Sequence, residues 1–191
     1  MLWISVVCIL CATALEVQNG VGLCREWGEA REVGQLDSAI IPEASGMGFS
    51  SDFRGRLYGV DDSSTRIHVT DAQGNFIQSV SIEETSGIDV EDLGLGPCGE
   101  TTCLFVADIG DSPRRRDSIE VIVVEEVEQF PRQVSPRHRI RLRFPDGPID
   151  AEALAVCPNG DVFVMARRLL PEEWESHAEL FRLPAEDWVG E

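Results

Sequence analysis

Positive charge is scarce in this 191-residue sequence, where 16 Lys and Arg residues stand against 34 Asp and Glu, for a formal net charge of −18 at pH 7. Nucleic acids and anionic membranes are bound through clustered Lys and Arg. The composition therefore excludes both as partners, apart from the membrane contact that an export signal makes. We expect a small molecule or a protein instead. The hydrophobic fraction of 43 % is enough for a domain with a packed core.

The usual catalytic motifs are also missing. The sequence contains no G-x-S-x-G elbow, no P-loop, no dinucleotide-binding fingerprint and no H-E-x-x-H zinc motif. Its three histidines, His68, His138 and His177, fall in or near predicted outer strands, and none has an obvious catalytic partner. We interpret them as surface or packing residues. The sequence names no catalytic residue, and whether the protein is an enzyme stays open.

The N-terminus has the features of an export signal. Residues 1–14 carry no charged side chain and end in the small residues Ala12-Thr13-Ala14, which predicts a signal peptide followed by a linker over residues 15–30. The mature protein would then be secreted or periplasmic, where disulfides form. Cys98 and Cys103 flank a turn-like spacer, and we predict that they form a disulfide at a hairpin tip. Whether Cys24 pairs with Cys157 stays open.

The rest of the chain reads as a series of short strands, without a long amphipathic helix. Three times a Glu stands just ahead of an apolar strand, a Gly-containing turn and a second apolar strand, at intervals of roughly 50 to 60 residues. These residues are Glu43, Glu91 and Glu152. In an all-strand chain, such a period is typical of a β-propeller with four-stranded blades.

The predicted fold is therefore an all-β propeller domain over residues 31–191, with three blades at about 42–83, 89–145 and 150–191. Three blades do not close a ring, because propellers have four to eight. We expect the chain to be a fragment of a longer, six-bladed protein; the alternative is that partner chains complete the ring. Residues 31–36 are a candidate outer strand of a closing blade.

Several motifs resemble a known family. G-I-D-V-E-D-L-G-L-G-P, V-A-D-I-G-D and D-A-E-A-L are similar to signatures of secreted bacterial propeller proteins with D-x-E-D-[IL]-A, V-A-D-I-G-D-N and D-A-E-A-L motifs. That family looks distantly similar to the six-bladed gluconolactonase/regucalcin and paraoxonase group, whose enzymes hold a divalent metal, often calcium, in the central channel. The resemblance covers residues 42–168, but the metal ligands of that group do not map onto this sequence. Ser112 also departs from the Asn of the family motif.

The repeated Glu residues are the main candidate site. The first strand of each propeller blade lines the channel, so the repeat predicts Glu43, Glu91 and Glu152 at equivalent heights, with Asp89 and Asp150 beside two of them. One interpretation is structural, with each Glu accepting backbone N–H groups of the neighbouring blade. The other is a cation site, for which hard oxygen ligands suit calcium or magnesium better than zinc.

A second set of acids follows the second strands and is predicted to face the rim loops: Asp61, Asp62, Asp108 and Asp111. They either extend a metal or ligand site or favour the turns there. The neighbouring Arg114–Arg116 cluster either binds phosphate or carboxylate, or is solvated or paired with local acids. We expect an exported binding or interaction propeller of unknown ligand. The alternative is a calcium-dependent hydrolase of lactones or phosphate esters, acting at the channel mouth.

Overall fold

The computed structural model describes residues 28–85, 87–168 and 177–189, without the side chains of Arg168 and His177. The predicted signal peptide over residues 1–14, most of the linker and Cys24 lie outside these ranges. Over the described ranges the chain forms twelve β-strands and one short 3₁₀-helix, with no α-helix. Within them, too, no helix is long and apolar enough to span a membrane. The all-β prediction is confirmed.

The first sheet is an antiparallel meander of β1 (Ala44–Phe49), β2 (Arg56–Asp61), β3 (Ser64–Asp71) and β4 (Phe76–Ile82). The β3–β4 turn is fixed by Asp71, whose carboxylate accepts the backbone N–H groups of Gln73 and Asn75 at 2.9 Å each. Gly74 has φ +84°, a left-handed conformation that favours glycine. The composition of this turn therefore explains why the chain reverses here.

The second sheet repeats the meander with β5 (Val90–Pro97), β6 (Thr102–Asp108), β7 (Ile119–Glu125) and β9 (His138–Leu142). The β5–β6 turn carries the predicted disulfide: Cys98 and Cys103 are bonded, with their Cα atoms 5.8 Å apart. Between β7 and β9 the chain reaches back to the first sheet, where β8 (Gln133–Val134) pairs with β4 in parallel. This crossing ties the first two sheets together.

The third sheet contains β10 (Asp150–Val156), β11 (Val162–Arg168) and β12 (His177–Leu183), followed by a 3₁₀-helix over Ala185–Asp187. The β10–β11 turn has Gly160 at φ +87°. The carbonyl of Gly160 accepts the indole N–H of the buried Trp188 at 3.1 Å. Trp188 thereby anchors the segment after β12 onto this turn.

Two apolar cores lie between the sheets. One core contains Tyr58, Ile67 and Val80 of the first sheet against Leu104 and Ile122 of the second. The other is built by the opposite face of the second sheet and by the third, from residues that include Phe105, Val121, Val164 and Trp188. The middle sheet therefore buries both of its faces, as the near-continuous apolar runs of β6 and β7 require.

The first strands of the three sheets are neighbours, with β1 against β5 and β5 against β10. Glycines permit this approach: a Cβ on Gly94 or Gly96 would lie 2.7 Å from Leu154 or 2.2 Å from Val156. The three sheets do not close into a ring.

The predicted strand over residues 31–36 is wrong, because residues 28–43 form no strand. This segment instead lies on the β3–β4 turn, where a Cβ on Gly34 would lie 1.8 Å from the carbonyl oxygen of Gln73. Val33, the apolar residue beside this glycine, is 73 % exposed, so the segment has no buried face of the kind that a strand would present.

Candidate functional site

Each first strand is bulged near its start, and the bulges correct the predicted equivalence of the three glutamates. The pairing with the second strand skips one residue between Ala44 and Gly46, between Val90 and Asp92, and between Ala151 and Ala153. The bulged residues are Ser45, Glu91 and Glu152. Glu43 is therefore not the counterpart of the other two glutamates.

Glu43 lies two residues before the bulged residue of its strand, as Asp89 and Asp150 do in theirs, so Glu43 corresponds to these two aspartates. Its side chain is exposed, and its backbone carbonyl accepts the N–H of Asp62 at 3.3 Å. A β-bulge adds a residue without a signature in the apolar pattern. Sequence spacing alone placed Glu43 two residues out of register.

Four of the five predicted channel carboxylates do lie together. Asp89, Glu91, Asp150 and Glu152, which we call the carboxylate cluster, surround the starts of β5 and β10. The side chains of Asp89 and Glu91 contact each other, as do those of Asp150 and Glu152. Two ionised carboxylates repel at contact, so each of these pairs is stable only when a proton or a cation is shared between them.

Gly110, in the loop after β6, makes room for the first of these pairs. A Cβ at this position would lie 2.5 Å from the carboxylate of Asp89 and 2.6 Å from Oε1 of Glu91. The Gly of the I-G-D segment is thus explained by close contact with the cluster.

Glu91 is the most perturbed member. Burial, followed by the charges of Glu152 and Asp89, raises its pKa to about 8. Burial also raises the pKa of Asp89, as does the charge of Asp150. The pKa of Glu152 is raised by burial first and by Asp150 second. Glu91 therefore holds a proton at neutral pH, which is unusual for a carboxyl group and frequent at functional sites.

Two arginines border the cluster. Nη2 of Arg167 lies 3.0 Å from Oδ2 of Asp150 and 3.1 Å from Oε1 of Glu152, and about half of its side chain is exposed. Arg116 forms an ion pair with Asp108 at 2.8 Å. Asp108 in turn accepts the backbone N–H groups of Ile88 and Asp89. Pairing with local acids was one of the alternatives for the Arg114–Arg116 cluster, and Arg116 does pair with Asp108. Arg167 had not been assigned to this site.

The predicted clasp between neighbouring first strands exists, but other residues form it. Ser45 donates its hydroxyl to the carbonyl of Val90 at 2.7 Å, which links β1 to β5. Asp92 accepts the N–H of Leu154 at 2.7 Å, which links β5 to β10. Burial raises the pKa of Asp92, although both its backbone hydrogen bonds act in the opposite direction. The structural role that the sequence gave to the glutamates thus belongs to Ser45 and Asp92.

Two of the rim acids shape the loop beside the cluster. Asp108 holds Arg116, as described above. Asp111 is almost fully buried and accepts the N–H groups of Arg115 and Arg116 at 2.8 and 2.9 Å. The N–H of Asp111 donates to Oδ1 of Asp150 at 2.8 Å. The I-G-D loop is therefore fastened directly to the cluster.

Asp62 also lies beside the cluster. Its charge is one of the causes that raise the pKa of Asp89. Its Oδ1 is buried and has no hydrogen-bond partner within the described parts of the chain. An orphaned buried oxygen next to other carboxylates is an unfavourable arrangement unless a cation or a proton joins it.

Asp61 belongs to a separate network, in which His68 is a buried packing residue with a partner that the sequence did not show. The ring of the buried His68 contacts Oδ2 of Asp61 at 3.0 Å and Oγ of Ser79 at 2.9 Å. Burial alone would raise the pKa of Asp61, but hydrogen bonds from Ser63, His68 and Ser64 together lower it. Asp61, His68 and Ser79 lie on β2, β3 and β4, so the register of the strands and not proximity in the sequence brings them together.

The cluster has no preformed coordination shell. Among the residues that the structure describes, no group of three or more His, Cys, Asp or Glu side chains is arranged to hold a metal ion. As it stands, Arg167 pairs with Asp150 and Glu152, and Glu91 holds a proton at neutral pH. No known family model and no curated protein sequence matches the chain.

Proposed function

We propose that this chain is part of a six-bladed β-propeller binding protein, exported from the cell, whose carboxylate cluster takes up a divalent cation, calcium by preference. Three successive antiparallel sheets with neighbouring first strands support the propeller. The Cys98–Cys103 disulfide fits an oxidising compartment and hence a secreted or periplasmic location. The resemblance of the sequence motifs to those of secreted propeller proteins also supports an exported propeller.

The observation that supports a cation site is the convergence of four carboxylates around the starts of two neighbouring strands. Partial burial, and after it the charges of the other members, raises the pKa values of Asp89, Glu91 and Glu152. A divalent cation with a preference for several oxygen ligands would relieve that repulsion and displace the protons. Arg167 would have to leave Asp150 and Glu152, which its half-exposed side chain allows.

The cation hypothesis is tested by titrating calcium into the full chain by calorimetry at about pH 8, where about half of Glu91 is ionised. We expect saturable binding that Glu91→Gln and Glu152→Gln each weaken by at least about tenfold. A charge-matched control, Glu128→Gln, removes one exposed carboxylate elsewhere and should bind like the wild type. Absence of binding in the wild type, or equal loss in the control, would overturn the proposal.

A second candidate function is a calcium-dependent hydrolase of lactones or phosphate esters. The observation that favours it is the pKa of Glu91, because a carboxyl group that titrates near neutral pH is suited to proton transfer. This function requires calcium-dependent turnover of a lactone or an aryl phosphate ester, lost in Glu91→Gln. Calcium binding without turnover of either substrate class would support the binding-protein hypothesis and contradict the hydrolase hypothesis.

A further inference from the structure

A cavity of about 240 Å³ opens beside the cluster, between the loop after β6 and the segment after β9. It is lined by Asp111 and residues 116–119, and by residues 142–145 and 147–149. A compact organic molecule fits a space of this size. No side chain described above occupies this cavity.

Arg116, which lines the cavity, has a buried nitrogen without an acceptor. Arg116 donates through Nη1 to Asp108 at 2.8 Å and to the carbonyl of Gly110 at 2.7 Å, and through Nη2 to the carbonyl of Asp108 at 3.1 Å. Its side chain is only 11 % exposed. Its third nitrogen, Nε, is buried and has no hydrogen-bond partner among the described residues. A buried N–H of a charged group is costly to leave unpaired.

The remaining charges favour an anionic group in the cavity. Arg143 is a second cation in the lining, and Ser118 adds a hydroxyl. Asp111 also lines the cavity, but its two oxygens already accept the N–H groups of Arg115 and Arg116. Asp117 is exposed and therefore screened by solvent.

The rest of the lining is largely apolar. Ile119 and Ile149 are almost fully buried, and Leu142, Phe144, Pro145 and Pro148 also line the cavity. An apolar lining that includes two arginines is suited to a ligand with a hydrophobic body and one planar anionic end.

We propose that this cavity binds a small organic carboxylate, with its hydrophobic body against Ile119, Phe144 and Ile149 and its carboxylate accepting hydrogen bonds from Nε of Arg116 and from Arg143. This site is separate from the cation site and does not depend on it. Arg116 connects the two, because the same side chain holds Asp108 beside the cluster. The Arg114–Arg116 segment, ambiguous in the sequence, thereby contributes one anion-binding residue through Arg116.

The test uses three probes of one shape, cyclohexanecarboxylate, cyclohexanecarboxamide and cyclohexylammonium, added to the full chain and followed by ligand-observed NMR. The carboxylate should bind with a dissociation constant on the order of 1 mM or below, as its size allows. The amide should bind at least about tenfold more weakly, because it carries no charge for the two guanidinium groups. The ammonium should not bind.

Two variants locate the site. Arg143→Gln should weaken carboxylate binding by at least about tenfold, whereas Arg141→Gln, which removes a 76 % exposed arginine two residues earlier, should leave it unchanged. Arg143 is exposed, so this variant is expected to fold. Equal binding of the carboxylate and the amide, or equal effects of the two variants, would overturn the proposal, as would failure of the carboxylate to bind. A calcium-free buffer keeps this result independent of the cation site.

Discussion

Asp92 accepts the backbone N–H of Leu154 at 2.7 Å, so a single carboxylate joins the first strands of the second and third sheets. Glu91, its neighbour in sequence, instead faces the carboxylates of Asp89 and Glu152. The two adjacent acids at this bulge therefore make different contacts, and the effect of substituting each can be tested separately.

Replacement of Asp92 by Ala should destabilise the fold without changing calcium affinity. The variant leaves the N–H of Leu154 unpaired, which costs about 1–3 kcal/mol in the free energy of unfolding. Asp92→Asn keeps an acceptor oxygen and should lose less. Urea denaturation measures the first effect and calcium calorimetry the second. A stable Asp92→Ala protein with weakened calcium binding would reverse the roles that we assign to Asp92 and Glu91.

Replacement of His68 by Ala should also destabilise the fold. The variant removes the ring that joins Asp61 to Ser79 and leaves a cavity in a buried site, at a cost of about 2–4 kcal/mol. Ser79→Ala, which removes only one hydrogen bond, should cost about 0.5–1.5 kcal/mol. Both are measured by urea denaturation. A His68→Ala protein as stable as the wild type would show that this network contributes nothing to the fold.

Substitution of Gly110 by Ala should disturb the cluster directly. The new Cβ would lie 2.5 Å from the carboxylate of Asp89, so Asp89 and Glu91 must move. We expect calcium affinity to fall by at least about tenfold, as for loss of a ligand. Gly28→Ala is the control, because nothing lies within 4 Å of a Cβ there. Unchanged calcium affinity in Gly110→Ala would mean that the Asp89–Glu91 pair is not part of the cation site.

The metal-free protein should lose stability as pH rises from about 4.5 to about 8. The pKa of Glu91 is raised from 4.5 to about 8 by folding, so the folded state binds more protons than the unfolded state across this range. The stabilisation is present in full below pH 4.5 and is lost as pH rises through about 8. Glu91→Gln should flatten this dependence, as measured by urea denaturation in chelator at several pH values. A wild-type stability that rises from about pH 6 to about pH 8 would contradict the raised pKa.

Most strand positions could be predicted from the sequence because local patterns specify them; the candidate strand over residues 31–36 was the exception. Apolar alternation and turn residues such as Asp71 and Gly74 lie within a few residues of each strand that they define. The Cys98–Cys103 disulfide was predictable for the same reason, since its two halves flank one turn. The all-β class followed from these local signals.

The details of the site could not be predicted, because they depend on contacts between distant segments. A bulge moves Ser45 into the position that spacing had given to Glu43. Cross-strand register brings Ser79 against His68, and the loop after β6 brings Gly110 against Glu91. Arg167 is placed beside Asp150 by the pairing of β10 with β11. None of these contacts has a signature in a single stretch of sequence.

The central claim is that the carboxylate cluster exchanges protons for a divalent cation. Its most direct test is calcium calorimetry at pH 7 in two buffers with different ionisation enthalpies, which counts the protons released for each calcium ion bound. We predict binding with net release of roughly one proton, which Glu91→Gln abolishes, because Glu91 with a pKa of about 8 must ionise when the cation enters. Calcium binding without proton release, or no binding at all, would contradict the account.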